Sequence, residues 1–294
     1  MPDATSLLAS VKGRAARGPC RRAILAALLL IWKLARRLPL VDRARTTVRV
    51  DGHRMRVRPF SYDDLLSVSP DYELILRRWP PDEGDVVVDA GAFIGRHTLD
   101  FASRVGPRGQ VIAVEPLAEN FRLLAVNVAL NRLDNVICLP IALGESDDAV
   151  KLHYARESST ATADPRRAVS AGMTKTTHVR QRRLDDVLRE LGLHAVDYLK
   201  IDVEGAEVDV LRGARRLLRQ GSPRVIVELH GQAAAESPIE RCLRGWGYDC
   251  QIVCEAGRRF CVAQRQPALT CKMSQGLRNE SAGFSTHPAA TNPP

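Results

Sequence analysis

Short β-branched runs alternate with amphipathic stretches over most of this chain, which predicts strands joined by helices. The runs DVVVD at 85–89, QVIAVE at 110–115, NVICLPI at 135–141, DYLKID at 197–202 and RVIVEL at 224–229 read as strands buried on both faces. Helical stretches lie between them at 96–105, 117–130, 184–191 and 206–219. Strands and helices alternating at this pace imply right-handed crossovers and a parallel sheet. Upstream, residues 46–58 alternate apolar and polar positions around Asp51-Gly52, a hairpin signal. Asp71–Trp79 reads as a helix ended by Pro80-Pro81. The alternation is interrupted after Glu145, where Ala149–Tyr154 and Thr177–Arg182 read as strands enclosing a polar loop, Arg156–Lys175. A loop of that length inside a domain marks a functional lid or a mobile segment. A helix at Ile239–Trp246 and strands at Cys250–Cys254 and Phe260–Gln264 complete the α/β pattern. The expected organisation is a basic arm at 1–45, a hairpin and helix at 46–84, the main domain at 85–265 and a disordered tail at 266–294, rich in Pro, Ser, Thr and Asn.

Charge changes the picture once it is located. Of the net charge of +9, eight units fall in residues 1–45, so the globular part is close to neutral. An enzyme of nucleic acid should carry a basic face on its body, so no nucleic-acid partner is expected. Within the arm, the ten apolar residues Ala23–Trp32 lie between Arg21/Arg22 and Lys33, Arg36 and Arg37. That run is too short to span a bilayer, but suits a helix lying on an anionic membrane surface, so residues 19–38 are a candidate peripheral membrane contact. The seven cysteines include no C-x-x-C pair, which suggests reduced thiols and a cytoplasmic setting. Cys250, Cys254 and Cys261 sit in strand-like contexts and are not expected to bind zinc.

In open parallel sheets, ligands bind beyond the carboxyl ends of the strands. This chain places Asp89, Glu115, Asp202 and Glu228 at those ends, with His230 just beyond. Gly91 and Gly95 follow the first strand at a spacing that lets backbone approach a ligand. Glu115, 24 residues after Gly91, can accept hydrogen bonds from both hydroxyls of a ribose. That suits NAD and S-adenosylmethionine alike, and the glycine turn discriminates. An acid directly before G-A-F-I-G would repel a pyrophosphate, but suits an α-amino group or a sulfonium. The absence of G-K-[ST] excludes a phosphate-cradling loop. S-adenosylmethionine is therefore the expected ligand. A dinucleotide-dependent oxidoreductase and a non-catalytic binding module are the alternatives.

The segments VVVDAGAFIGRHT, VIAVEP, LPIALGE, VRQRRLDDVL, YLKIDVEGAEVDVLRGA and VIVELH, in that order, resemble the FkbM family of S-adenosylmethionine-dependent methyltransferases from about Tyr72 to Gln264. The resemblance implies a Rossmann-like class I methyltransferase fold, a seven-stranded and mostly parallel sheet with helices on both faces and a reversed final strand. It also implies methyl transfer to a hydroxyl of a sugar, glycolipid or polyketide-like metabolite. By motif, Asp89, Gly91, Ala92 and Gly95 would contact the methionine end, and Glu115, with Pro116 beside it, the ribose. Asn135 to Ala142 would lie near the adenine and Asp202 near the methyl group. Arg96-His97 departs from relatives that carry smaller or aromatic residues there.

A sugar hydroxyl is a weak nucleophile and benefits from a general base. His230 is the first candidate, because an unperturbed histidine titrates near neutrality. Asp202 is the alternative base, or orients the acceptor. Glu204 either holds loop backbone or faces the substrate, and Glu207 is accounted for by the helix dipole. His97 either borders the methionine carboxylate or caps its helix. Asp202, Glu228 and His230 could hold Mg2+, but no dense carboxylate motif supports one, so no metal is expected. The expected partner is a small-molecule or lipid-linked glycan acceptor.

Overall fold

The hairpin forms where the alternation places it: β1 (Thr46–Val50) and β2 (His53–Val57) pair antiparallel about Asp51-Gly52. The structure, a computed structural model, describes residues 45–265 apart from 60, 70, 71, 156–160, 171 and 231–235. The candidate membrane segment at 19–38 and the tail at 266–294 lie outside the described residues. Among the described residues no helix is long and apolar enough to cross a membrane.

After the hairpin come α1 (Tyr62–Ser67) and the short α2 (Ile75–Arg78). The helix expected over 71–79 is shortened because Glu73 takes a left-handed φ of 47°, which a continuing helix does not allow. The central alternation then runs β3 (Val86–Ala90), α3 (Arg96–Val105), β4 (Gln110–Val114), α4 (Ala118–Leu130) and β5 (Val136–Leu139). The interruption holds β6 (Ala142–Leu143), β7 (Ala149–Tyr154), β8 (Ala161–Thr162), α5 (Pro165–Ser170) and β9 (Lys175–Arg182), followed by α6 (Leu184–Glu190). The described part of the expected lid thus contains a strand and a helix of its own. The chain continues with β10 (Tyr198–Ile201), α7 (Glu207–Gly213), α8 (Arg215–Gln220), β11 (Arg224–Glu228), α9 (Pro238–Gly245), β12 (Tyr248–Glu255) and β13 (Arg258–Arg265). The single helix expected over 206–219 is divided at Ala214. The Asp185 carboxylate accepts the backbone N–H groups of Arg216 and Leu217, which starts α8 as a separately capped helix.

Seven strands form the main sheet in the order β12-β13-β11-β10-β3-β4-β5. β5, β4, β3, β10 and β11 are mutually parallel, and β13 inserts antiparallel beside β11. This is the seven-stranded, mostly parallel α/β sheet with a reversed final strand. A smaller sheet, β6-β9-β7-β8, stands beside it.

Both faces of the main sheet are covered. Val88, Ile112, Leu199 and Val225 pack with Leu184, Leu188 and Leu211 of the helices on one side. Val87, Val111, Tyr198 and Ile226 pack with Ile75, Phe101 and Val105 on the other. The hairpin joins that second side through Val50, Met55 and Val57, which meet Leu99 and Leu124. Asn127 of α4 and Asn131 just past its end seal the join, exchanging hydrogen bonds with the backbones of Arg56 and Arg54.

Gly91 leaves the tip of β3 at φ 81°, and a Cβ there would lie 1.8 Å from the backbone oxygen of Asp202. Only glycine allows both the left-handed turn and this contact between two strand ends. Gly91→Ala should lower folding stability by roughly 2–4 kcal/mol, read as a shift in the urea midpoint. An unchanged midpoint would contradict the close approach.

Candidate active site

Strand register decides which side chains meet at the carboxyl edge. β3, β10 and β11 place Asp89 beside Lys200 and Lys200 beside Ile226. Asp89, Lys200 and Glu228 therefore share one face of the sheet, and Asp202 lies just past the end of β10. Lys200 is buried, and its Nζ donates to the Gly91 carbonyl at 2.8 Å. The same ammonium lies 3.1 Å from Asp89 Oδ1 and 3.9 Å from Asp202 Oδ2. Burial opposes its charge, but Asp89, Asp202 and Glu73 outweigh burial and push its pKa up. The sequence reading gave Lys200 no role. The available signal was a lysine inside an apolar strand, which needs an opposite charge nearby.

A cavity of about 280 Å3 opens at this edge; Phe93, Glu115, Pro116 and Ala142 line it, as do Asp202, Glu204 and Glu228, with Gly91 beside Asp202. Glu115 follows β4, and its side chain is fixed by three donors. Oε2 accepts the Phe93 N–H, and Oε1 accepts the Leu117 N–H and the Asn120 amide. Burial pushes its pKa up to about 7 against the pull of those hydrogen bonds.

Four of the expected cofactor contacts sit elsewhere. Asp89 has no exposed surface and lies beneath the cavity, spending its oxygens on Lys200 and on the Thr98 hydroxyl at 2.6 Å. Ala92 is buried with its N–H on the Val114 carbonyl, and the cavity wall at this turn is Phe93 instead. Gly95 starts α3 at φ 92°, packed against Leu124. Asn135 precedes β5 at the opposite edge of the sheet, where its amide donates to the Ala102 and Gly106 carbonyls at the end of α3. A strand's first residue cannot reach a site at its carboxyl end.

At the acidic end, His230 is held by carboxylates. Its Nδ1 lies 2.7 Å from Glu207 Oε1, and Nε2 lies 3.3 Å from Glu204, 3.6 Å from Asp202 and 3.7 Å from Glu228. Burial acts against its charge, but the hydrogen bond to Glu207 and the charges of Glu204 and Asp202 raise its pKa to about 9. The near-neutral titration expected of this residue is thereby overturned, because four carboxylates surround it. Glu207 also does more than complement a helix dipole, since it accepts the Gly205 N–H and orients the imidazole. Glu204 turns at φ 58° and pairs with Arg167 of α5, so the expected lid touches the site. Burial raises the pKa of Asp202 and, with Asp202 and Glu73 beside it, that of Glu228 to about 8.

The N-terminal segment closes this end. His97 neither caps α3 nor faces the cavity. It lies 2.6 Å from Glu73 and stacks on Tyr72. Arg258, at the start of β13, reaches Glu73 at 2.6 Å and Glu228 at 3.4 Å, with its guanidinium over the Tyr72 ring. Arg96, the other half of the departure from the family pattern, pairs with Asp51 of the hairpin. Tyr72, Glu73 and Arg258 come from distant parts of the chain, and no local sequence pattern marks them.

The strand order, the reversed final strand and a cavity at the carboxyl edge define a class I S-adenosylmethionine-dependent methyltransferase. The methyltransferase FkbM domain matches residues 89–250, more than half of the chain, and the chain belongs to that family. It is 31% identical over 194 residues to "Methyltransferase sdnD" of Sordaria araneosa, a match covering 55% of this chain and 73% of that protein. It is 27% identical over 190 residues to "31-O-demethyl-FK506 methyltransferase FkbM" of Streptomyces tacrolimicus, covering 56% and 73%. The crystal structure of methyltransferase FkbM from Methylobacillus flagellatus superposes with a TM-score of 0.41 at 16% identity, over 62% of this chain and 44% of that one.

Replacing Lys200 by Met should cost about 3–5 kcal/mol of stability by stranding buried Asp89 without its counter-charge. The pair Lys200→Met with Asp89→Asn should recover much of that loss in chemical denaturation. A double variant no more stable than the single one would contradict the pairing.

Proposed function

We propose that the chain transfers a methyl group from S-adenosylmethionine to a hydroxyl oxygen of a polyhydroxylated acceptor, such as a sugar, a lipid-linked glycan or a polyketide-like metabolite. The observation that carries this reading is the cavity itself, which joins a fixed carboxylate, Glu115, to the Asp202–Glu204–Glu228 group. The residues present fit the donor. Glu115 has its carboxylate locked by three donors while it still lines the cavity, as an acceptor for two ribose hydroxyls must. Phe93, Ile141 and Leu143 supply apolar wall for a base. When bound, S-adenosylmethionine supplies an electrophilic methyl group on a sulfonium.

The acceptor's place is the acidic end. Carboxylates there accept hydrogen bonds from hydroxyl groups and orient one oxygen for in-line attack. Asp202, which lines the cavity beside Gly91, takes the proton as the hydroxyl becomes an ether. Glu204, held by Arg167, positions the acceptor beneath the lid helix. The relative from Streptomyces tacrolimicus is named for an O-demethyl substrate, in keeping with oxygen as the site of transfer.

The test is transfer of labelled methyl from S-adenosylmethionine to polyhydroxylated acceptors. The label should appear in an alkali-stable methyl ether, and Asp202→Asn should lower kcat by about 10²–10⁴-fold. Label found in an amine or in an alkali-labile ester would contradict oxygen-ether transfer. A second expectation concerns pH. Glu115 ionises about pH 7, and only the carboxylate form offers lone pairs to both ribose hydroxyls. S-adenosylhomocysteine should therefore bind more tightly as pH rises from about 6 to about 8, a dependence Glu115→Gln removes. Equal pH dependence in both proteins would remove Glu115 from the ribose site.

A further inference from the structure

We propose that Asp202, Glu228 and His230 form a binding site for one divalent transition-metal ion of the Mn2+ or Zn2+ kind, at the acceptor end of the cavity. One ligand atom from each of the three lies within 4.8 Å of the others. The imidazole is oriented for the task. Glu207 holds Nδ1 at 2.7 Å, so Nε2 faces Asp202 and Glu228, with Glu204 nearer at 3.3 Å; a carboxylate behind a ligating histidine fixes its free nitrogen on a metal in this way.

The spacings from Nε2 to Asp202 and Glu228 fit a coordination polyhedron better than hydrogen bonds. Asp202 Oδ1 and Glu228 Oε1 stand 3.6 and 3.7 Å away, beyond hydrogen-bond reach. Metal–ligand bonds of about 2.1 Å put neighbouring ligands about 3.0 Å apart in an octahedron and about 3.4 Å apart in a tetrahedron. The two spacings from Nε2 need to contract by a few tenths of an ångström, and the third, within 4.8 Å, has to close with them for the set to meet on an ion. The oxygens are also uncommitted. Asp202 Oδ1 is buried without a hydrogen-bond partner among the described residues. The Glu228 side chain is nine-tenths buried, and its only hydrogen bond among the described residues, from Arg258, goes to the other oxygen, Oε2. Buried oxygens in that state are costly unless a cation or a proton meets them.

The donor set chooses the ion. Mg2+ prefers oxygen ligands and keeps its waters, whereas one imidazole with two carboxylates suits Mn2+ or Zn2+. The three ligands leave positions open toward the cavity, where an acceptor hydroxyl can join as a further ligand and lose its proton more readily. That role rests on the proposed methyl transfer; the binding of the ion does not.

The experiment uses the full chain, stripped with a chelator and titrated with Mn2+ while unbound Mn2+ is followed by electron paramagnetic resonance, with Zn2+ as competitor. One Mn2+ per chain is expected. Glu207→Gln should weaken binding about 10–100-fold, and His230→Gln and Glu228→Gln should weaken it at least as much. Glu119→Gln, on the exposed start of α4, should not change it. S-adenosylhomocysteine binding by each variant shows that it is folded. Absence of Mn2+ and Zn2+ binding by the unaltered chain would overturn the site, as would equal binding by folded His230→Gln and Glu228→Gln. Methyl transfer that persists in chelator, with no metal bound, overturns the ion's role in proton loss and leaves the transfer reading standing. Metal binding without methyl transfer to any hydroxyl does the reverse.

Discussion

The buried ammonium of Lys200 is the interaction on which the carboxyl edge of the sheet depends. Its Nζ touches the Gly91 carbonyl, Asp89 and the neighbourhood of Asp202 at once. One charge thus ties the turn after β3 to the end of β10, the two backbone segments that approach so closely that only glycine fits between them. An unpaired ammonium or carboxylate at this depth would be prohibitively costly, so each group fixes the other. The tie also accounts for the burial of Asp89. Its negative charge lies beneath the floor, where it holds Lys200 and takes the Thr98 hydroxyl.

Above that floor the balance of charge shifts. Asp202, Glu204, Glu207 and Glu228 converge on His230, while Arg258 and His97 meet Glu73 from the other side. The N-terminal segment is therefore part of the site as much as a support for it. Tyr72 and Glu73 enter through a left-handed turn, and Arg258 crosses from the last hairpin to cover Tyr72. The lid helix adds Arg167 over Glu204. The same cavity is lined by Glu115 and Phe93 as well as by these acids.

Most of the fold was legible because buried parallel strands write themselves as β-branched runs, and the Asp51-Gly52 turn marks its hairpin directly. Glu115 was legible for a related reason: the end of a second strand is fixed by counting from the first. Asn135 was misplaced because a motif names a segment, and only the strand direction says which end reaches the ligand. The burial of Asp89 was not legible, because an acid at a strand tip looks the same in sequence whether it faces a ligand or a lysine on the neighbouring strand, more than a hundred residues further along the chain. The ordinary near-neutral titration of a histidine was no guide to His230, since the carboxylates of Glu207, Glu204 and Asp202, which meet it only in the fold, raise its pKa. Tyr72, Glu73 and Arg258 were invisible, because their meeting depends on tertiary packing across more than 180 residues.

The central claim is that the cavity ending at Glu115 receives the nucleoside of a sulfonium donor. Calorimetric titration of the chain with S-adenosylhomocysteine and, separately, with NAD tests it most directly. The account expects one S-adenosylhomocysteine bound per chain and no heat from NAD. Binding of NAD without S-adenosylhomocysteine would contradict it.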